Sequence, residues 1–215
     1  MQRVLVPELL DSLPPSHPDA LGSRRDLRVI NRVMGNHRWL ARRVPGLLGP
    51  GDRVLEIGAG TGELARRLEA AGVAVDGLDV ADPPCDWPSG RVWHRADVRA
   101  FDGFDDYAGV VANLVLHQFT AEELASVGAR IRRGKVRVLL ACEPARRRIF
   151  QRLFAWFAPM CGANRVSLHD AHVSIGAGFR ADELPRQLGL GARGWDNSLR
   201  YTFLGACRLV AMRRP

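Results

Sequence analysis

The run Val54-Leu55-Glu56-Ile57-Gly58-Ala59-Gly60-Thr61-Gly62-Glu63-Leu64 reads as a short apolar strand, a glycine turn and the start of a helix. Glycine lets a backbone turn tightly and lets a ligand approach with no side chain in the way. Spacing narrows the chemistry. A dinucleotide fingerprint, G-x-G-x-x-G, would need a third glycine where Glu63 stands, and a P-loop would need a lysine that this run lacks. What remains is G-x-G-x-G with Glu56 two residues ahead of it. That carboxylate repels a pyrophosphate and suits a ligand with positive charge, such as an amino group or a sulfonium.

Outward from this run, strand and helix patterns alternate. Strands are expected at Arg53–Ile57, Val73–Val80, Val92–Ala96, Tyr107–Leu114 and Val136–Ala141, and two more at Ala192–Ser198 and Arg200–Met212. Helices are expected over Glu63–Ala71, from near Thr120, over Ala145–Pro159 and near Ala181–Leu188, with a loop between the last two. Thr120 and Glu123 have the spacing of a capping box. The alternation implies an α/β fold whose mainly parallel sheet carries helices on both faces. In such sheets ligands sit at the carboxyl ends of the strands, near the point where strand order reverses. On the amino-terminal side, Pro7, Pro14, Pro15 and Pro18 make residues 7–23 a loose leader. From Asp26 a helical stripe follows through Leu27, Ile30, Val33, Met34, His37 and Leu40, until Pro45-Gly46.

Composition sets the outer bounds. The 215 residues are 47% hydrophobic, 25% charged and 7% aromatic, which fits one soluble globular domain and excludes a mostly disordered or fibrous chain. No apolar run reaches the ~20 residues that span a bilayer, and the first residues lack the core of a signal peptide. The expected location is cytoplasmic. Cys85, Cys142, Cys161 and Cys207 lie far apart without a CxxC pair, so neither a metal site nor a redox motif is expected. Lys and Arg number 31 against 23 Asp and Glu, a net +8, and Lys135 is the single lysine. The arginines are scattered in short groups, which disfavours a nucleic-acid partner.

The glycine run with Glu56, and the segments after three further strands, resemble the class I S-adenosylmethionine-dependent methyltransferases of small-molecule type. The resemblance covers residues 53–144 well and the whole chain in outline. It implies a Rossmann-like sheet of seven strands, mostly parallel with the last strand antiparallel. It also implies a leader and helical cap over residues 1–50, a cofactor domain over 51–215 and a substrate-covering segment at about 145–182. The implied cofactor is S-adenosyl-L-methionine, its methionine part bordered by Glu56, Gly58, Ala59, Gly60 and Gly62. Asp79 would accept from the ribose hydroxyls, with mid-strand Asp76 as its competitor, and Val80 would touch the adenine. Asp97 would accept from the adenine amino group, or else cap a helix, and the N–H of Val98 would meet the ring. In the segment VANLVLHQF, Asn113 would lie beside the methionine moiety and His117 near the donor methyl group.

Methyl transfer from a sulfonium is an in-line displacement that needs the acceptor held close and water excluded. A hydroxyl acceptor is helped by a base that titrates near neutrality, which histidine supplies. His117, His169 and His172 are the candidates, with Asp170 placed to orient a neighbour. Against this, His117 could instead bond backbone near the cofactor, and His169 and His172 could lie on a loop surface. The apolar helix Ile149–Met160 reads as a packed helix or as a wall for a hydrophobic acceptor. With Arg146-Arg147-Arg148 at its start it also reads as a peripheral membrane contact. Asn36, Arg38 and Trp39 would face the cofactor or pack on the sheet. The expected activity is methylation of a small hydrophobic acceptor, at the oxygen of a phenolic, polyketide-derived or quinol-like compound. The alternatives are an RNA or protein substrate, or a non-catalytic cofactor-binding protein. Asn113-Leu-Val-Leu stands where an N-P-P-Y-type motif would be, which argues against exocyclic base nitrogens. The oligomeric state is left open.

Overall fold

Strands of the expected alternation join into one sheet in the computed structural model, which describes residues 1–14, 16–191 and 194–215. They are β1 (Arg53–Ile57), β2 (Ala74–Asp79), β3 (Trp93–Arg95), β4 (Gly109–Asn113), β5 (Val138–Pro144), β6 (Trp195–Tyr201) and β7 (Ala206–Arg213). Their spatial order is β3-β2-β1-β4-β5-β7-β6. Strands β1 to β5 pair in parallel, and β7 runs antiparallel to both β5 and β6. This is the expected Rossmann-like sheet. The chain winds outward from β1 through β2 to β3, then returns to β4 on the other side of β1. The carboxyl ends of β1 and β4 therefore flank the crevice where ligands of such sheets bind.

Alternation of side chains along the strands builds two cores. Leu55, Ile57, Val110, Ala112, Leu139 and Ala141 face helices α5 (Ala121–Arg133) and α8 (Glu183–Gln187). Val54, Val75, Val111, Val138 and Leu140 face α3 (Asn36–Arg43) and α4 (Glu63–Glu69) through Leu40, Leu64 and Leu68. Each such side chain contributes about 1.5–3 kcal/mol by leaving water. The capping box on α5 is formed, with Thr120 Oγ1 accepting from the Glu123 N–H at 3.1 Å and Glu123 accepting from the Thr120 N–H at 2.8 Å.

Three expectations are corrected. The leader is not loose. Helix α1 spans Leu9–Ser12, and α2 spans Pro18–Met34, with Pro18 in its first turn. Proline suits that position because the first N–H groups of a helix have no intrahelical partner; His17 caps it by accepting the Asp19 N–H at 3.2 Å. Gly35, at φ +66°, splits the amphipathic stripe into α2 and α3. Beyond α6 (Arg148–Phe157) the expected loop is a helix, α7 (Arg165–Ala177), whose cap Asn164 accepts the Ser167 N–H at 2.8 Å. Strand β5 runs on past Ala141 to take in Glu143, and β6 and β7 part at residues 202–205. The expected β6 start at Ala192, like Pro15 of the leader, lies outside the described residues.

Candidate functional site

The turn between β1 and α4 holds Gly58, Gly60 and Gly62 at φ +69°, +50° and +69°. The first and second need glycine for different reasons. A Cβ on Gly58 would lie 2.7 Å from Val115, so that position is closed by the protein itself. A Cβ on Gly60 would meet nothing nearer than the Gly58 carbonyl at 3.9 Å, so that position opens onto free space. The N–H groups of Gly58 and Ala59 donate to the Leu78 carbonyl at 2.8 and 3.3 Å, which stitches the turn to the end of β2.

Asp79 closes β2. Its two oxygens accept the N–H of Gly60 at 2.8 Å and of Ala81 at 2.9 Å, placing a carboxylate on the lip of the crevice. Asp76 is different. It is fully buried and bound by Arg53, by the Tyr107 hydroxyl at 2.9 Å and by the Val92 N–H at 2.9 Å, so it serves the fold. Val80 is exposed beside Asp79. Beneath the turn, Glu56 is 4% exposed, and its Oε2 has no hydrogen-bond partner among the described residues. Burial raises its pKa well above the ordinary carboxyl value, reinforced by the charge of Asp79 and opposed by the Ala65 N–H and Arg66.

The cap helices add polar groups to this end. Asn113, closing β4, donates to Asn31 Oδ1 at 2.9 Å and to His37 Nε2 at 3.3 Å. Burial, helped by Arg67, lowers the His37 pKa to about 4, so the ring is neutral and can accept. Asn113 Oδ1 and both amide atoms of buried Asn36 lack partners among the described residues. Unpaired buried polar atoms are costly; Glu56 lies on β1 and Asn113 closes the neighbouring β4. Arg38 is exposed, whereas Trp39 packs half-buried against the core under the Arg208 guanidinium at 5.3 Å.

Asp97 is engaged by its own turn. Arg99 grips it through Nε at 2.9 and 3.0 Å, through Nη2 at 2.6 Å and through its backbone N–H at 2.8 Å. The Arg99 side chain holds this carboxyl below its usual range. Asp97 thus closes a turn over residues 97–100; no helix starts there for it to cap, and Arg99 engages both of its oxygens. Val98 is buried in the core.

The structure removes His117 from the list of bases. Its ring is 3% exposed, with Nδ1–H donating to Glu143 at 2.8 Å and Nε2–H to Glu8 at 3.2 Å. Although burial opposes it, the two carboxylates raise the pKa to about 9. A ring already protonated at neutral pH cannot accept a proton. His117 is instead a rivet. Glu143, fully buried at the end of β5, also accepts the N–H groups of Val115, Leu116 and His117 at 3.2, 2.9 and 3.2 Å. This fixes the turn in which Leu114 adopts φ +56°, a conformation costing a non-glycine residue about 1–2 kcal/mol.

Through that rivet the amino-terminal segment becomes a strap over β4 and β5. Arg3 donates to the carbonyls of Ala177, His117 and Phe119 at 2.7, 3.0 and 2.8 Å. Glu8 also accepts from Ser174, and Asp170 accepts the N–H groups of Leu9 and Leu10 at 2.7 and 3.0 Å. Asp11, on α1, is solvent-accessible, but partial desolvation and the charges of Glu8, Asp170 and Asp79 raise its pKa to about 6. His169 bonds Asp170 Oδ1 at 3.0 Å, the oxygen that also accepts the Leu9 N–H of the strap, and with His172 it lines the groove between α6 and α7.

Sequence reading missed Glu143, Glu8, Asp11, Asn31 and the polar role of His37. A signal existed for Glu143, the lone charge in the otherwise apolar run Val138–Pro144. The others depend on where the strap and cap helices dock.

No protein-family model matches the sequence, and no curated protein matches it. Solved structures do share its fold. A plantazolicin methyltransferase in complex with SAH superposes with a TM-score of 0.72 at 8% identity, over 96% of this chain and 93% of that one. Human N-acetylserotonin methyltransferase with SAM gives 0.63 at 11% identity, over 95% and 61%. Magnesium protoporphyrin IX methyltransferase of Synechocystis PCC 6803 with SAM gives 0.55 at 19% identity, over 89% and 84%. The fold of this chain is thus that of the class I SAM-dependent methyltransferases.

Proposed function

We propose that the chain is an S-adenosylmethionine-dependent methyltransferase acting on a small hydrophobic acceptor, at the oxygen of a phenolic, polyketide-derived or quinol-like compound. The observation that carries this reading is the buried, unpartnered Oε2 of Glu56 beneath an open glycine turn. Such an oxygen asks for a cation, and S-adenosylmethionine has an ammonium and a sulfonium. When bound, the cofactor supplies an electrophilic methyl group.

The chain's own residues would do the rest. Gly60 would leave room for the ligand against the backbone, and Asp79, at the end of β2, would accept from the ribose hydroxyls. Asn113 and Asn36 offer unpaired amide atoms to the amino-acid end. Val80 offers an apolar edge to the adenine, while Asp97 and Val98 are assigned to the ring only through the resemblance. The strap and α7 exclude water above β4. Asp11 is the group offered to take the acceptor proton: it stands exposed on α1 of the strap, within electrostatic reach of Asp79 on the crevice lip, and its carboxyl, raised to about 6, is ionised at neutral pH. Solved proteins of this fold named for plantazolicin, magnesium protoporphyrin IX and N-acetylserotonin support a small acceptor over a macromolecule.

The test is transfer of a labelled methyl group to a panel of phenols and quinols, with total RNA and bulk protein in parallel. Label in the small-molecule fraction supports the proposal. Label confined to RNA or protein, or none at all, contradicts it.

A further inference from the structure

Helix α6 has no buried residue along its ten positions. One face, carrying Phe150, Phe154 and Gln151, leans on the β6–β7 tip and α7. The face turned away presents Ile149, Leu153, Trp156 and Phe157 to solvent, with Trp156 68% exposed, and Met160 continues it. The tip extends the patch. Gly205 lies against Phe150, while Phe203 projects at 92% exposure with Leu204 beside it. Other exposed apolar side chains, such as Val29, Val33 and Val80, are aliphatic; this face alone among the described residues gathers exposed Trp and Phe, and a contiguous apolar surface of this kind calls for an occupant.

Charge says which. Residues 145–169 hold five arginines and no acidic residue. Arg146 is spent inside the fold on Glu183 and the Gly178 carbonyl. Arg147, Arg148, Arg152 and Arg165 are exposed. On the helical wheel Arg148 and Arg152 flank the apolar stripe on one side. A groove of about 520 Å³ at the foot of α6 is lined by Met1, Arg146, Arg147, Arg148, Ile149 and Arg180. A second copy paired antiparallel on this face would press one arginine flank against the other.

We propose that α6, the β6–β7 tip and this arginine groove form an interfacial face that seats the protein on an anionic lipid bilayer. At about 1.5 Å per residue the helix is far too short to span one; it lies in the interface plane. Its apolar stripe enters the acyl boundary and its arginines meet the phosphates of the headgroups. The proposal stands independently of the methyl-transfer reading.

Vesicle sedimentation with the full chain tests it. Phosphatidylcholine vesicles are compared with vesicles containing about one-third phosphatidylglycerol, at low and at high salt. The expected result is at least a tenfold preference for the anionic vesicles, weakened by salt, with a blue shift in tryptophan emission. Trp156→Ser with Phe203→Ser, and Arg148→Glu with Arg152→Glu, should each lower binding about tenfold while the melting temperature stays put. Trp156→Phe should remove most of the blue shift and leave binding intact. No preference for anionic vesicles, or variants that bind like the wild type, would overturn the proposal. A dimer in sedimentation equilibrium that Trp156→Ser disperses, without vesicle binding, would also overturn it and give the face to a second copy.

Discussion

Replacing His117 with glutamine is expected to remove a pH-dependent part of the protein's stability. The folded chain holds the His117 proton between Glu143 and Glu8, with a pKa of about 9 against the ordinary 6.5. The folded state therefore binds this proton more tightly than the unfolded one. The stabilisation is complete below pH 6.5 and is lost as pH rises through about 9. Each tenfold gain in proton affinity is worth about 1.4 kcal/mol, so the rivet contributes about 3 kcal/mol in mildly acidic solution. Urea unfolding of the wild type and of His117→Gln, followed by circular dichroism at about pH 6 and about pH 10, measures it. The gap between the two proteins should shrink by about 3 kcal/mol across that interval. A gap that stays constant would mean that the ring is neutral in the fold, and His117 would return as a candidate base.

Other consequences are equally direct. Gly60→Arg should melt only modestly below the wild type, by the roughly 1–2 kcal/mol that φ +50° costs a non-glycine residue, because no described neighbour crowds that Cβ, yet lose S-adenosylmethionine binding in calorimetry; Gly58→Ala should melt lower still, because its Cβ also meets Val115 at 2.7 Å. Asp79→Ala should weaken cofactor affinity by about 1–3 kcal/mol, the scale of lost charged hydrogen bonds; an unchanged dissociation constant would remove Asp79 from the ribose. With Asp11 as base, the methyl-transfer rate should rise through about pH 6 as the carboxyl ionises. Asp11→Asn should flatten that limb and slow turnover, and a wild-type profile already flat there would exclude Asp11.

The sheet was legible because its signals are local. Apolar runs such as Val54–Ile57, the glycine turn and the Thr120 capping box are written in neighbouring residues. Helix α7 was not, because its faces pack on different partners. Ser167 and Asp170 turn toward α2 and the strap, and Leu168 and His172 toward α6, so no single apolar stripe marks it. Pro18 misled for a related reason. Proline forbids the middle of a helix but favours its first turn, and only the following residues separate the two cases. For the site, Glu56 and Asp79 could be picked out by their places beside the glycine turn and at a strand end. The role of His117 could not, since it depends on Glu8, which lies 109 residues away in the chain.

The most direct measurement is a crystal structure of the chain grown with S-adenosylmethionine. The amino end of the cofactor should lie on Glu56 Oε2, with the ribose on Asp79 and the backbone of residues 58–62 against the sulfonium half. Density for the compound elsewhere, or a dinucleotide displacing it from the crevice, would contradict the account.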